Sequence, residues 1–127
     1  MAANRPTAAE LLEAAREFLE GEAMDAIAAD NVKFKLRVAV NVLRLIEREL
    51  LCGPGNDARE LSRLQALLGR ADADLEHLNA ELCERIRTGE FDDRLQQLLP
   101  SLQQSTLDKL AIDNPRYSTY VALRGRE

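Results

Sequence analysis

The sequence is poor in the residues on which most catalytic and metal sites depend. Its 127 residues include one histidine, two cysteines and no tryptophan. They contain no glycine-rich phosphate loop and no dinucleotide fingerprint. A single histidine excludes the zinc-protease motifs and the paired Glu-x-x-His motifs of di-iron bundles. We expect this residue, His77, on the polar surface of a helix near Asp74, Glu81 and Arg85. The sequence therefore predicts a protein that is not an enzyme and holds no metal or cofactor.

Long apolar runs and an excess of basic charge are also missing. No stretch approaches the roughly 18 apolar residues of a membrane span, and the first residues do not resemble a secretory signal. A net charge of −5 argues against the dense basic surface needed to bind nucleic acid. Cys52 and Cys83 have neither metal-site nor disulfide spacing and are expected to be buried, unreactive thiols. We therefore expect a cytoplasmic protein that binds neither membranes nor nucleic acid.

The residues that are abundant are those of packed helices. Hydrophobic residues make up 46% of the chain and charged residues 31%, whereas aromatic residues make up only 4%. The apolar positions are mostly leucine, alanine, valine and isoleucine, which is typical of helical cores. The length fits one domain. We predict an all-α fold, a single domain over residues 1–127 with flexible ends at 1–6 and 121–127. Its architecture is a bundle of about five helices with a long central second helix.

Capping and breaking residues predict where the helices begin and end. Thr7 and Glu10 have the spacing of a capping box at the start of the first helix. The second helix begins at Asp30 or Asn31 and is expected to end near Cys52, at Gly53-Pro54-Gly55. The remaining helices are bounded in the same way: a third from Asn56 or Asp57 to Gly69, a fourth from Asp72 to Gly89, and a fifth from Asp93 to Asp113 that Pro100 kinks or divides.

Polar and apolar side chains are sharply separated on the second helix. Four polar side chains fall on one narrow side, which we call the basic strip: Arg37, Asn41, Arg44 and Arg48. Nearly all other residues from 36 to 50 are apolar and cover more than half of the circumference. This pattern is typical of a helix packed on two or more sides, so we expect it at the centre of the bundle.

Two interpretations of the basic strip follow from the distribution of charge. Residues 1–30 contain seven acidic residues and two arginines, whereas residues 31–50 contain five basic and two acidic residues. In the first interpretation the first helix lies beside the second and their opposite charges pair along the seam. In the second the strip binds an anion or an acidic partner, because arginine forms paired hydrogen bonds with carboxylates and phosphates. Glu47 and Glu49 are each expected to pair with an arginine on another helix.

The C-terminal segment is the other candidate site. Beyond Pro115 the chain leaves the last helix and brings Arg116 and Tyr117 close to Tyr120. Tyrosine and arginine are enriched in binding hot spots, so Arg116 and Tyr117 are candidates for contact with a partner. The alternative is that this segment folds back and its rings cover the open end of the core.

Four stretches resemble a bacterial family of small helical proteins that is a domain-of-unknown-function family. They are RPTAAELL at 5–12; RVA, NVL and ERE within 37–49; LNAELC and RIR followed by glycine within 78–89; and DKLAID and PRY within 108–117. The last stretch is the most specific. The resemblance implies genes beside acyl-CoA dehydrogenases and kinases similar to aminoglycoside phosphotransferases. It therefore implies an accessory role in acyl-CoA or related catabolism.

Two functions from different classes are compatible with these features. The first is a non-catalytic accessory or protein-interaction domain that binds a protein partner or a second copy of itself. The alternative is a small-molecule-binding domain that holds an anionic ligand, acyl-CoA-like or phosphate, against Arg37, Arg44 and Arg48. This alternative requires a pocket between helices, lined by leucine and valine, with the arginines at its mouth.

Overall fold

The computed structural model of the chain describes residues 5–124. Its regular structure is helical, and no strand occurs in this range. A π-helical turn, Leu19–Ala23, joins the first two helical segments. The segments are α1 (Ala8–Phe18), the single turn α2 (Met24–Ala26), α3 (Asp30–Leu68), α4 (Leu75–Arg87), α5 (Leu95–Asp113) and α6 (Ser118–Leu123). The all-α class, the number of about five substantial helices and the long central helix are thereby confirmed.

The predicted capping box is present at the start of α1. The Thr7 hydroxyl accepts a hydrogen bond from the Glu10 backbone N–H at 3.2 Å, and the Glu10 carboxylate accepts one from the Thr7 N–H at 3.3 Å. Both donors belong to the helix end, where no intrahelical partner exists. Local sequence therefore determines this boundary.

The predicted end of the second helix at Gly53-Pro54-Gly55 is wrong. α3 continues through these residues to Leu68, so the predicted second and third helices are one helix with Pro54 in its interior. Neither Gly53 nor Gly55 adopts a positive φ, which a glycine helix stop commonly requires. The helix ends instead at Gly69, where φ is +67°.

The later boundaries differ less from prediction. α4 begins after Asp74 rather than at Asp72, because the Asp74 carboxylate caps the helix by accepting from the His77 N–H at 2.9 Å. Pro100 lies inside α5 and does not divide it. The segment beyond Pro115 forms α6, a helix that the sequence analysis did not predict.

The chain divides into two compact units that meet at the Gly53–Pro54 bond. The second unit contains a conventional core formed by the end of α3, by α4, by the connection to α5 and by the first turns of α5. Its buried side chains are Leu64, Leu67, Leu68, Leu78, Leu82, Phe91 and Leu98. The prediction of one domain over residues 1–127 stays a prediction.

The first unit pairs α1 and the following turn with the first half of α3. Arg16 bonds Glu47 and Glu20 bonds Arg44, so position increases along one helix as it decreases along the other. The two helices are therefore antiparallel. Of the residues described in this unit, only Val40 is buried. The expectation that the apolar side of the long helix is packed on two or more sides is wrong for residues 34–50, where several apolar side chains are exposed.

Two predictions concern the ends of the chain and its relation to membranes. Of the predicted flexible ends, residues 1–4 and 125–127 lie outside the described residues. Val121–Leu123 belong to α6. Within residues 5–124, no helix combines the length and the apolar character that crossing a membrane demands.

Candidate interaction surface

The side chains of the basic strip differ in their exposure. Arg37 and Asn41 are exposed, and Arg48 is half-buried. The Arg44 guanidinium donates a hydrogen bond to the Glu20 carboxylate, which lies in the turn after α1. The interpretation that opposite charges pair along the α1–α3 seam is confirmed for Arg44. The strip therefore does not present all of its arginines to an incoming anion.

A second ion pair secures the same seam. The Arg16 Nε donates to both Glu47 carboxylate oxygens, at 3.0 and 3.1 Å, and its Nη1 donates to Glu20 at 2.9 Å. The hydrogen bond with Glu47 is the main reason that the pKa of Arg16 is raised. The prediction that Glu47 pairs with an arginine on another helix is confirmed. Glu49, for which the same pairing was predicted, is exposed.

The first unit presents an exposed apolar surface, which we call the apolar face. Its side chains are 37–57% exposed: Leu11 and Phe18 on α1, and Val38, Val42, Ile46 and Leu50 on α3. Phe34, one turn before Val38, is 65% exposed. Because only Val40 is buried among the residues described in this unit, most of its large apolar side chains are at least partly exposed.

Helical geometry explains why these residues form one surface. On α3 the residues nearest α1 include Val40, Leu43 and Glu47, and the apolar face lies on the far side and one flank of the helix. Leu11 and Phe18 lie five and two residues from Arg16, so they lie on the side of α1 that turns away from α3. The charged residues Glu17 and Arg37 lie on the opposite flank. The pair therefore has one apolar flank and one charged flank.

The apolar residues of α3 are evident in the sequence, where they were predicted to lie in the interior. In the sequence, the apolar side of this helix is wider than one neighbouring helix can cover. Two arrangements explain such a pattern equally well: a second neighbouring helix in the same chain, or an exposed surface that binds another molecule. The exposures of Val38 and Val42 favour the second explanation.

The candidate residues of the C-terminal segment are separated from one another. Arg116 and Tyr117 are exposed just before α6. Tyr120 is half-buried and lines a cavity of about 230 Å³ with Leu107 and Ala111 of α5, under the Arg124 guanidinium at 5.8 Å. The segment thus folds back through Tyr120, and the role of Arg116 and Tyr117 in binding stays a prediction.

The second unit also contains a groove of about 520 Å³ between α3 and α5. Its wall is partly polar and partly apolar and comprises Arg63, Ala66, Leu67, Gln97, Pro100, Ser101 and Gln104. The Arg63 guanidinium is already engaged, because it donates to the Ser105 hydroxyl at 3.0 Å and lies 3.8 Å from Asp108. Neither this groove nor the cavity at Tyr120 is lined by an arginine of the basic strip.

The side chains with potential metal or redox chemistry are dispersed. Cys52 and Cys83 are both exposed, so the expectation of buried thiols is wrong. Each lies on a helix surface that no other described element covers. Within residues 5–124, no group of three or more histidine, cysteine or acidic side chains is arranged to hold a metal ion.

His77 lies at the surface, where it pairs with the residue that caps α4. Its Nδ1 lies 2.6 Å from the Asp74 carboxylate, and this hydrogen bond raises the pKa of His77. The backbone N–H of His77, followed by its ring, lowers the pKa of Asp74. The Asp74→Asn variant keeps a capping oxygen but removes the charge. We expect it to lower the pKa of His77 towards the ordinary value of about 6.5, measured by NMR titration of the ring protons.

The sign of the accompanying pH dependence follows from these directions. Because the folded-state pKa of His77 is raised, its pairing contributes stability fully below about pH 6.5 and loses it as pH rises through the folded value. Asp74→Asn should remove this dependence. Glu76→Gln is the matched control, since Glu76 acts on the ring through charge alone and more weakly. An unchanged His77 pKa in Asp74→Asn would contradict the hydrogen bond.

Comparisons with known proteins assign the chain to a family. The helices and the exposed apolar face describe a small all-α protein with two compact units. The model of the DUF6285 family, a domain of unknown function, matches residues 26–117, a range that includes all of α3, α4 and α5. The chain belongs to this family, which confirms the resemblance to a domain-of-unknown-function family. Of the four resembling stretches, only residues 5–12 lie outside the match. No curated protein and no solved structure matches the chain.

Proposed function

We propose that the protein is a non-catalytic interaction domain that binds another protein chain through the apolar face. The observation that supports this most is the exposure of Leu11, Phe18, Val38 and Val42 in a unit with one buried residue among those described. Two helices alone seldom enclose a core, and a further layer of helices is the usual way to cover their apolar sides. A protein partner supplies such a layer.

The arrangement of charge supports the same function. Protein interfaces combine an apolar centre with a polar rim that sets orientation. The apolar face has Lys35 and Glu49, both exposed, near its two ends on α3. Arg37 is exposed on the opposite, charged flank. Arg37 of the basic strip therefore lies outside the proposed binding surface.

The metabolic setting belongs to the proposal as well. The resemblance to a family encoded beside acyl-CoA dehydrogenases and aminoglycoside-phosphotransferase-like kinases favours an accessory role in acyl-CoA metabolism, in the bacterial cytoplasm. A non-catalytic role agrees with the lone, exposed His77, which is paired with Asp74. It also agrees with the placement of Cys52 and Cys83 on different helices.

The alternative is a domain that holds an anionic ligand, acyl-CoA-like or phosphate, against Arg37, Arg44 and Arg48. Its support is the exposure of Arg37 beside Asn41 on one side of α3. The Arg44–Glu20 hydrogen bond weighs against it, because an anion has to compete with a carboxylate already in place. We therefore favour the interaction domain.

The test is a pull-down of the full chain from the cells that encode it, in the wild-type form and two variants. Val42→Glu places a charge at the centre of the apolar face and should weaken partner binding by at least about tenfold. Arg37→Glu changes an exposed side chain on the same helix and is the matched control. We expect mass spectrometry to find a stoichiometric second chain with the wild type and Arg37→Glu, and to lose it with Val42→Glu.

Purified components then establish whether the captured chain binds directly. The wild-type protein carries one tag and is co-expressed with an untagged copy, so that both a different protein and a second copy are detected. Loss of the second chain with Arg37→Glu alone would move the binding surface to the basic strip. A wild-type chain that captures neither a different protein nor its own copy would refute the interaction domain.

A further inference from the structure

The exposed residues of α3 in the first unit repeat symmetrically about Val42. Phe34 and Leu50 lie eight residues on either side of it, Lys35 and Glu49 seven, and Val38 and Ile46 four. Each of these side chains is exposed. We infer that the partner covering the apolar face is a second copy of this chain, whose α3 packs antiparallel on the first across a twofold axis at Val42. This inference rests on the proposed function and identifies the protein partner as a second copy of the chain.

Twofold symmetry makes strict demands that this segment meets. In a twofold interface, if residue i of one copy contacts residue j of the other, then j of the first also contacts i of the second. Antiparallel helices crossing at Val42 place Val38 opposite Ile46, and Phe34 opposite Leu50. Each apolar side chain of the segment therefore meets an apolar side chain of the second copy.

The charges obey the same symmetry. Lys35 of one copy lies opposite Glu49 of the other, and the symmetric pair repeats at the far end of the interface. A segment with two lysines or two glutamates at these positions would place like charges together. Lys35 and Glu49 are therefore complementary to the same residues of a second copy. They favour an antiparallel orientation of the two α3 helices over a parallel one.

The positions also share one surface of the helix. At about 100° per residue, Lys35, Val38, Val42, Ile46 and Glu49 lie within an arc of about 80°. The strip they form is roughly 21 Å long at 1.5 Å per residue. Apolar residues occupy its centre and charges its ends, which is the usual arrangement of an interface core and rim. Phe34 and Leu50 widen the strip on opposite sides.

The size of the apolar face agrees with a dimer interface. The five apolar side chains that the twofold axis relates (Phe34, Val38, Val42, Ile46 and Leu50) are about half exposed on average. At about 150 Å² for a fully exposed side chain of this type, they offer roughly 370 Å². A standard interface buries about 800 Å² per partner, of which about 57%, roughly 460 Å², is apolar.

Disulfide cross-linking tests the position of the axis. In full-length chain carrying Cys52→Ser and Cys83→Ser, Val42→Cys places the two thiols opposite each other at the crossing point. Helices 8–10 Å apart bring such residues within the Cα separation that a disulfide needs. We expect nearly complete cross-linking on mild oxidation. Asn41→Cys in the same background, one residue along and on another side of the helix, should remain monomeric in denaturing gels.

Charge exchange tests the orientation. Lys35→Glu places two glutamates together at both ends of the interface and should raise the dimer dissociation constant by about tenfold, measured by analytical ultracentrifugation. Lys35→Glu/Glu49→Lys exchanges the two charges within each chain and should restore the wild-type constant. Circular dichroism on each variant separates lost association from lost helix.

The outcomes distinguish this inference from the proposed function. A chain that is monomeric at all concentrations overturns the inference, and a different protein captured in a Val42-dependent manner then leaves the interaction domain standing. A dimer that Val42→Cys does not cross-link, or that the charge exchange does not restore, also overturns the inference. If wild-type chain binds neither itself nor another protein, both fail.

Discussion

Replacing Phe91 with alanine is expected to lower the free energy of unfolding of the second unit by about 3–5 kcal/mol. The ring is 1% exposed and belongs to the buried cluster formed with leucines of α3, α4 and α5. Removing it leaves a cavity where three helices converge, and such a site collapses poorly because each wall is fixed by its own helix. The Arg94 guanidinium, 4.6 Å from the ring centre, loses its aromatic neighbour as well.

Urea unfolding followed by circular dichroism measures this effect, with two further variants for comparison. Leu99→Ala removes a side chain that is 55% exposed on α5 and should change the free energy of unfolding by no more than about 0.5 kcal/mol. Phe91→Leu keeps most of the apolar volume and should cost less than Phe91→Ala. Equal effects of Phe91→Ala and Leu99→Ala would mean that Phe91 is not in the core in solution.

Phe91 also shows where sequence reasoning ends. It lies in the short connection after Gly89, outside any periodic pattern, and nothing nearby distinguishes a buried ring from an exposed one. The connection turns inward because Gly89 adopts a φ of +88°, which glycine tolerates, and returns the chain towards the end of α3. Burial of Phe91 depends on residues more than twenty positions away, so no local signal reveals it.

Features that depend on neighbouring residues were predicted well. The Thr7–Glu10 capping box and the helix stops at Gly69 and Gly89 follow from the hydrogen bonds and the backbone angles of a few residues. The pairing of Arg44 with the first helix was one of two open interpretations, and the pairing of Glu47 with an arginine of another helix was predicted separately. Geometry decided it, because a short connection places α1 antiparallel to α3 and brings Glu20 and Arg16 into reach.

The candidate site was predicted less well, because the exposure of its side chains depends on whether another part of the chain packs against them. The basic strip was the predicted site, and in the structure its Arg44 donates a hydrogen bond to Glu20. The apolar residues beside the strip were visible in the sequence, but periodicity reports only that a surface is apolar. Whether Val38 and Val42 contact another helix of the same chain or a different molecule is a tertiary property.

Replacing Pro54 with alanine is expected to raise the free energy of unfolding by about 2 kcal/mol. Inside a helix proline removes one backbone hydrogen bond and crowds the carbonyl four residues earlier, which costs about 3 kcal/mol. Alanine restores the N–H donor to the Leu50 carbonyl. Part of the gain is offset, because proline also restricts the unfolded chain by up to about 1 kcal/mol.

Alanine substitutions at the neighbouring glycines also test whether α3 is continuous through Pro54. A Cβ at position 53 meets the Glu49 side chain at 3.7 Å, and one at position 55 meets the flexible end of Arg59 at 3.2 Å. Gly53→Ala and Gly55→Ala are therefore accommodated and should each add up to about 1 kcal/mol. Urea unfolding and amide hydrogen exchange at residues 50–58 measure the three variants. If alanine at position 54 brings neither greater stability nor slower exchange, the helix ends at Gly53 in solution. In that case, the local preference of Gly53-Pro54-Gly55 outweighs the propagation of the helix from both sides.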